Sequence, residues 1–218
     1  SGKGYLAKHT TGNTTVGGVI GGAGGAYGGL GGDSSSSDLS NNVYGDYRNP
    51  NDWGSGGGSH AGGGLVRIAA AELVLDGQLL ADGDGVLGSA GGGSGGGVYV
   101  SVDVLRGSGA ISATGGVGHN AGGGGRVAVY ARDFSTFDTS SITAFGGTGT
   151  YTSGGVGSVY LRDTDVLQGT LIFAQTVGGG ALTPLAPPTS DLIQIADAVV
   201  IRGERTRVCP SVGMPDTS

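Results

Sequence analysis

Four acidic residues, Glu72, Asp103, Asp133 and Asp163, recur along the chain at spacings of 31, 30 and 30 residues. If each interval is one turn of a stacked coil, neighbouring carboxylates lie about 4.8 Å apart along the stacking axis. Carboxylates that close repel, so an outward stack would want either Ca2+ as a hard, oxygen-seeking cation or the adjacent Arg132 and Arg162. The other reading is a set of solvated corner carboxylates that accept backbone N–H bonds. Tyr99, Tyr130 and Tyr160 keep nearly the same interval, 31 and 30. Facing outward, such rings would offer a ladder to a glycan or a neighbouring subunit; turned beneath the glycine-rich loops, they would only pack.

Other chemistry finds little support. A polysaccharide lyase or hydrolase needs a carboxylate cluster with a nearby base or second carboxylate in a groove. Asp133, Asp163 and Asp165 with Arg132 and Arg162 is the one candidate, and it matches no catalytic motif, so no catalytic residue is assigned and the chain reads as a non-enzyme. His9, His60 and His119 are too dispersed for a metal set. The Gly-Gly-x-Gly-x-Asp core of calcium-binding solenoids is not matched, because Gly115-Gly116-Val117-Gly118-His119 is followed by Asn120. Asp82-Gly83-Asp84-Gly85 reads as turn chemistry. No Gly-Lys-Ser/Thr follows a glycine run, so glycine here means turns and not a phosphate cradle. Apart from Ca2+, no cofactor is expected.

The elements that hold these residues are set by glycine and by short apolar runs. Glycine supplies 52 of 218 residues, about three times its usual share of roughly 7%. Glycine costs more backbone entropy than any other residue, so this many must be used in the native state, at turns or where backbones pass closely. Between the glycines, Val, Ile and Leu alternate with other residues with a repeat of about 31 residues. One unit runs Leu65-Val66-Arg67-Ile68, Leu73-Val74-Leu75, Leu79-Leu80; the next runs Val98-Tyr99-Val100-Ser101-Val102, Val104-Leu105, Ile111-Ser112-Ala113. Val127-Ala128-Val129 with Ile142-Thr143-Ala144, and Val159-Tyr160-Leu161 with Leu171-Ile172-Phe173, continue the series.

Strands this short gain stability by stacking on their counterparts one repeat away. The expected fold is all-β: a right-handed, three-faced parallel β-helix, with glycine-rich tracts stacked at one corner as extended, polyproline-II-like backbone. Inward positions are expected at Val66, Ile68, Leu73, Leu75, Val100, Val102, Val104, Ile111, Val127, Val129, Ile142, Val159, Leu161 and Leu171. Residues 62–202 form the coils, with two last strands expected within 191–201. Residues 1–61 form an irregular glycine-rich region that either caps the first coil or adapts to a neighbouring module, and 203–218 a polar tail.

The net charge of −6, with scattered Lys and Arg, lacks a nucleic-acid footprint, and no 18-residue apolar run exists to enter a membrane. Ser1-Gly2-Lys3-Gly4 reads as the start of a mature or excised fragment. Asn13-Thr14-Thr15 is a glycosylation sequon, and Cys209, the one cysteine, would need another chain or segment to form a disulfide.

Tyr44-Gly45-Asp46, Gly54-Ser55-Gly56-Gly57-Gly58, Leu73-Val74-Leu75-Asp76-Gly77, Gly93-Ser94-Gly95-Gly96, Gly107-Ser108-Gly109-Ala110-Ile111 and Gly122-Gly123-Gly124-Gly125-Arg126 together resemble the glycine-rich β-helix domains of very large secreted or surface proteins. The resemblance covers about residues 44–202. It implies a module of an extracellular filament, appendage or surface layer, with self-association or adhesion, and carries no catalytic assignment. Glycan binding through the tyrosines is the alternative.

Overall fold

The β-branched and leucine-rich runs form thirteen short strands, and among the described residues the only helical element is a 3-10 turn at Thr139–Ser141. The structure is a computed structural model that describes residues 2–176, 180–185, 195 and 197–210. The strands are β1 (Leu65–Val74), β2 (Gln78–Leu80), β3 (Gly97–Arg106), β4 (Ala110–Ser112), β5 (Gly118–Asn120), β6 (Arg126–Asp133) and β7 (Ile142–Thr143). They continue with β8 (Gly149–Thr152), β9 (Ser158–Asp163), β10 (Thr170–Ala174), β11 (Thr183–Pro184), β12 (Ala198–Arg202) and β13 (Val208–Cys209).

The chain is a β-solenoid. On its first face β1, β3, β6 and β9 stack in parallel, with Leu65 beside Gly97, Gly97 beside Arg126 and Arg126 beside Ser158, steps of 32, 29 and 32 residues. On the second face β2, β4 and β7 stack in parallel; β5 and β8 pair on a third. Val98, Val100, Val102, Leu105, Ile111, Val127, Val129 and Ile142 fill the interior. The in/out alternation slips where β3 rounds a corner at Asp103: Leu105 is buried and Val104 only half-buried, so the inward residue there is Leu105 instead of the expected Val104.

The fourth unit departs from the repeat. Leu171-Ile172-Phe173 was expected to stack on the second face, but β10 turns back and pairs antiparallel with β9, and β12 then adds parallel to β10. A turn in which the Val166 N–H donates to the Asp163 carbonyl, while Asp163 Oδ1 accepts from the Asp165 N–H, reverses the chain. Alternating apolar residues specify a two-sided strand but not its direction. Leu171 is buried, but on the outer side of the sheet with Tyr160 and Phe173 and not at the expected inward position of the coil.

The glycine tracts form an ordered array. Along one tract, Gly92 donates to Asn120, Gly93 to Asp84, Ser94 to Ser55, Gly95 to Gly123 and Gly96 to Ala81. Residues three apart thus reach the same neighbour, which is the signature of a helix with three residues per turn. The next tract repeats the pattern: Gly122 donates to Gly116, Gly123 to Gly25, Gly124 to Gly155 and Gly125 to Ala113. None of these glycines has a positive φ. Space is what requires them: a Cβ on Gly96 would overlap the Gly64 carbonyl oxygen, and one on Gly63 that of Ala81.

The N-terminal region supplies a further layer of this array, and its first residues lie on the first coil, where Gly2 donates to Asp82, Gly4 to Gly62 and Gly62 to Tyr5. Gly25 donates to Gly92, Gly28 to Gly124, Leu30 to Leu182 and Gly58 to Ala23, so residues 22–32 cross from the second coil toward the last. Within the expected tail, β13 pairs in parallel with β11. Of the two last strands expected in 191–201, β12 is present, and residues 191–194 lie outside the described residues.

Candidate functional site

The tyrosine series sits on the outer face of the first sheet, but the coil steps stagger it. Tyr99 is beside Ala128, which is beside Tyr160, whereas Tyr130 is beside Ser101 and Arg162. The rings meet diagonally, with centroids 5.5 Å apart for Tyr99–Tyr130 and 5.6 Å for Tyr130–Tyr160. They are also roofed. The Arg67 guanidinium lies 4.1 Å over the Tyr99 ring, Tyr47 packs edge-on against Tyr160, and the Tyr130 hydroxyl donates to the Arg48 carbonyl at 2.8 Å. Tyr160 is 1% exposed, so these rings do not form an open platform for a sugar.

Asp197 holds that roof down. Its side chain is 2% exposed and accepts from Tyr47 Oη at 2.9 Å, Arg48 Nε at 2.8 Å and Nη2, Tyr160 Oη at 3.0 Å and the Gly169 N–H at 3.0 Å. Burial alone would raise its pKa, but the bonds from Gly169, Arg48, Tyr47 and Tyr160 hold it at about 2. Burial, then the bond to Asp197, pushes Tyr47 up to about 12. One carboxylate thereby ties residues 47–48 to the C-terminal strands. A lone Asp far from its partners in sequence gives no spacing signal, so reading the sequence missed it.

The acidic residues do not form a ladder. Their spacing of 31, 30 and 30 is out of phase with coil steps of 32, 29 and 32. Glu72 therefore lies beside Val104, Val104 beside Asp133, and Asp163 beside Ala131, with Asp103 one position off the Val104 line. Glu72 pairs with Arg106, whose hydrogen bond lowers its pKa. Asp133 accepts from the Ser135 N–H at 2.9 Å, which lowers its own. Among the described residues no three or more of His, Cys, Asp and Glu are grouped so as to hold a metal ion together. Asp133, Asp163 and Asp165 form no ion pair with Arg132 or Arg162 among the described residues, and Arg162 instead donates to the Val166 carbonyl.

Asn13 is exposed on a turn with φ 55°, where a glycan would be unobstructed. Cys209 is half-buried in β13 beside Val208, and burial raises its thiol pKa. His60 approaches Ser89 and His119 stacks on Tyr151, each within its own corner.

The most exposed built surface is the end of the first coil. β1 is ten residues long and, among the described residues, pairs on one edge only. Inward Val66, Ile68, Leu73 and Leu79 are half-buried, whereas Val98, Val100, Leu105 and Ile111, their counterparts one coil on, are 0% exposed. Val74 and Leu80 are 47% and 45% exposed. The two charges of β1 lean away from the free edge onto the next coil, Arg67 over Tyr99 and Glu72 to Arg106. No known protein family, curated protein or solved structure matches the chain.

Proposed function

We propose that the chain is a structural module of an extracellular assembly, joined to further copies or modules through the open end of its first coil. The free β1 edge carries this reading. Edge strands are ordinarily guarded by charges, proline or a bulge, because a bare row of N–H and C=O groups recruits other strands. β1 is long and mostly apolar, its two charges are engaged by the next coil, and the interior beside it is only half-buried. The hydrogen-bonded glycine array suits a load-bearing rod, since each tract is tied to several others.

Negative-stain electron microscopy and analytical ultracentrifugation of the purified chain test this. The expected result is concentration-dependent association into elongated particles that lengthen along the coil axis. A monodisperse monomer at every accessible concentration would overturn it.

A further inference from the structure

The faces of the solenoid run out of step at the fourth coil. The first face continues past β9 with β10 and β12, but among the described residues the second face ends at β7. Along that second ladder the Ala81 N–H donates to Ser112 at 2.8 Å and the Ala113 N–H to Thr143 at 3.0 Å. Ala144 comes next, and its N–H has no acceptor among the described residues. Two residues on, Gly83 donates to Thr114 and Gly115 to Phe145, and then Gly146 donates to Gln175 Oε1 at 2.9 Å while Gln175 Nε2 donates to the Gly146 carbonyl at 3.2 Å. A side-chain amide there stands in for the backbone of a strand.

Beside this free edge lies a cavity of about 280 Å³, whose apolar walls include Ile142, Val159, Ile172 and Ala174. That volume is below the 300–1,000 Å³ typical of pockets for free small molecules, but it is adjacent to an unused backbone donor.

We propose that the cavity binds an extended peptide strand of a partner chain, added to the free edge of β7 as the next rung of the second face. Backbone bonds to the ladder would give affinity and the apolar cavity would select the inward side chain, as in other strand-addition complexes. The two rungs already in place define what fits. Ala110-Ile111-Ser112-Ala113 and Ser141-Ile142-Thr143-Ala144 each send one isoleucine inward, 0% and 6% exposed, between small residues. The ligand is thus an uncharged strand with one β-branched or leucine residue flanked by Ala, Ser or Thr. It is independent of the assembly reading, which uses the opposite end of the coil stack.

The probe is a fluorescently labelled peptide of residues 108–116, titrated against the full 218-residue chain by fluorescence anisotropy. The expected result is saturable binding that weakens at least tenfold in the cavity-filling variant Ala174→Phe and disappears for the peptide carrying Ile111→Asp. Slowed exchange of the Ala144 amide on adding peptide would locate the strand. Binding that Ala174→Phe leaves unchanged would place the peptide at the β1–β2 end and overturn the proposal. No binding, with the Ala144 amide already protected in the free chain, would also overturn it.

Discussion

At the scale of single residues, Asp197 and the tract glycines carry most of the specificity. Asp197 stays ionised because four groups donate to it, which overrides its burial. Asp197→Ala would take the acceptor from two tyrosine hydroxyls and the Gly169 N–H while water takes up the half-exposed Arg48, a loss of about 1–3 kcal/mol. Urea denaturation followed by tyrosine fluorescence should show that loss. A difference within a few tenths of a kcal/mol would mean the roof is held by packing alone. The pH dependence has a definite sign. Its pKa falls from 3.8 to about 2 on folding, so its contribution is present above about pH 3.8 and is lost as the pH drops toward 2. Tyr47 rises from 10 to about 12, so its contribution is present below pH 10 and is lost as the pH climbs toward 12. The gap between wild type and Asp197→Ala should accordingly be widest at mid-range pH and close at the acid end. Gly96→Ala, whose Cβ would meet the Gly64 carbonyl, should cost about 1–3 kcal/mol by overpacking. Gly77→Ala, with nothing within 4 Å, should be neutral or stabilise by about 0.4–1 kcal/mol through the unfolded chain. Equal effects at the two sites in thermal denaturation would show that the array tolerates side chains.

At the scale of elements, the strands and the glycine corners were legible because both carry a period. Val98, Val100 and Val102 alternate as a half-buried strand must, and the tracts from Gly62, Gly91, Gly122 and Gly154 recur with them. What the period hid was its own irregularity. Coil steps of 32, 29 and 32 average to the apparent repeat, yet they move Asp103 off the line of Glu72 and Asp133 and set Tyr130 on the line of Ser101 and Arg162, away from that of Tyr99 and Tyr160. A ladder of side chains needs register to the residue, and the sequence shows register only to within one or two. The reversal at β10 and the latch to Asp197 depend on contacts between distant segments, which no local pattern encodes. The β1 edge allows a direct test at this scale. Ala69 is exposed on β1, and Ala69→Lys places a guarding charge on the strand without touching the interior. Sedimentation should show association weakened at least tenfold, with far-ultraviolet circular dichroism unchanged. Undiminished association would move the contact elsewhere.

At the scale of the whole molecule, the N-terminal layer changes how a solenoid should unfold. In most repeat proteins each coil touches only its neighbours, so stability is a sum of local terms and the ends can fray separately. Here residues 22–32 bond to tracts of the second, third and later coils, and Arg48 joins Asp197 across 149 residues of chain. These ties are long-range, which slows folding and couples the coils. The described chain should therefore open as one cooperative unit. Native-state hydrogen exchange measures this amide by amide: Gly95, Gly123 and Gly155 in the array should exchange with the same opening free energy as Val100 and Val129 in the first face. Arginine and tyrosine contacts to Asp197 contribute to that coupling, so Asp197→Ala should lower the protection of β10 and β12 first and leave β3 and β6 at the global value. Glycine amides that exchange far faster than the strands would mean the tracts are loops laid over a solenoid that is stable by itself. Uniform protection would instead make the glycine array a second core, held by backbone hydrogen bonds where the first is held by aliphatic side chains.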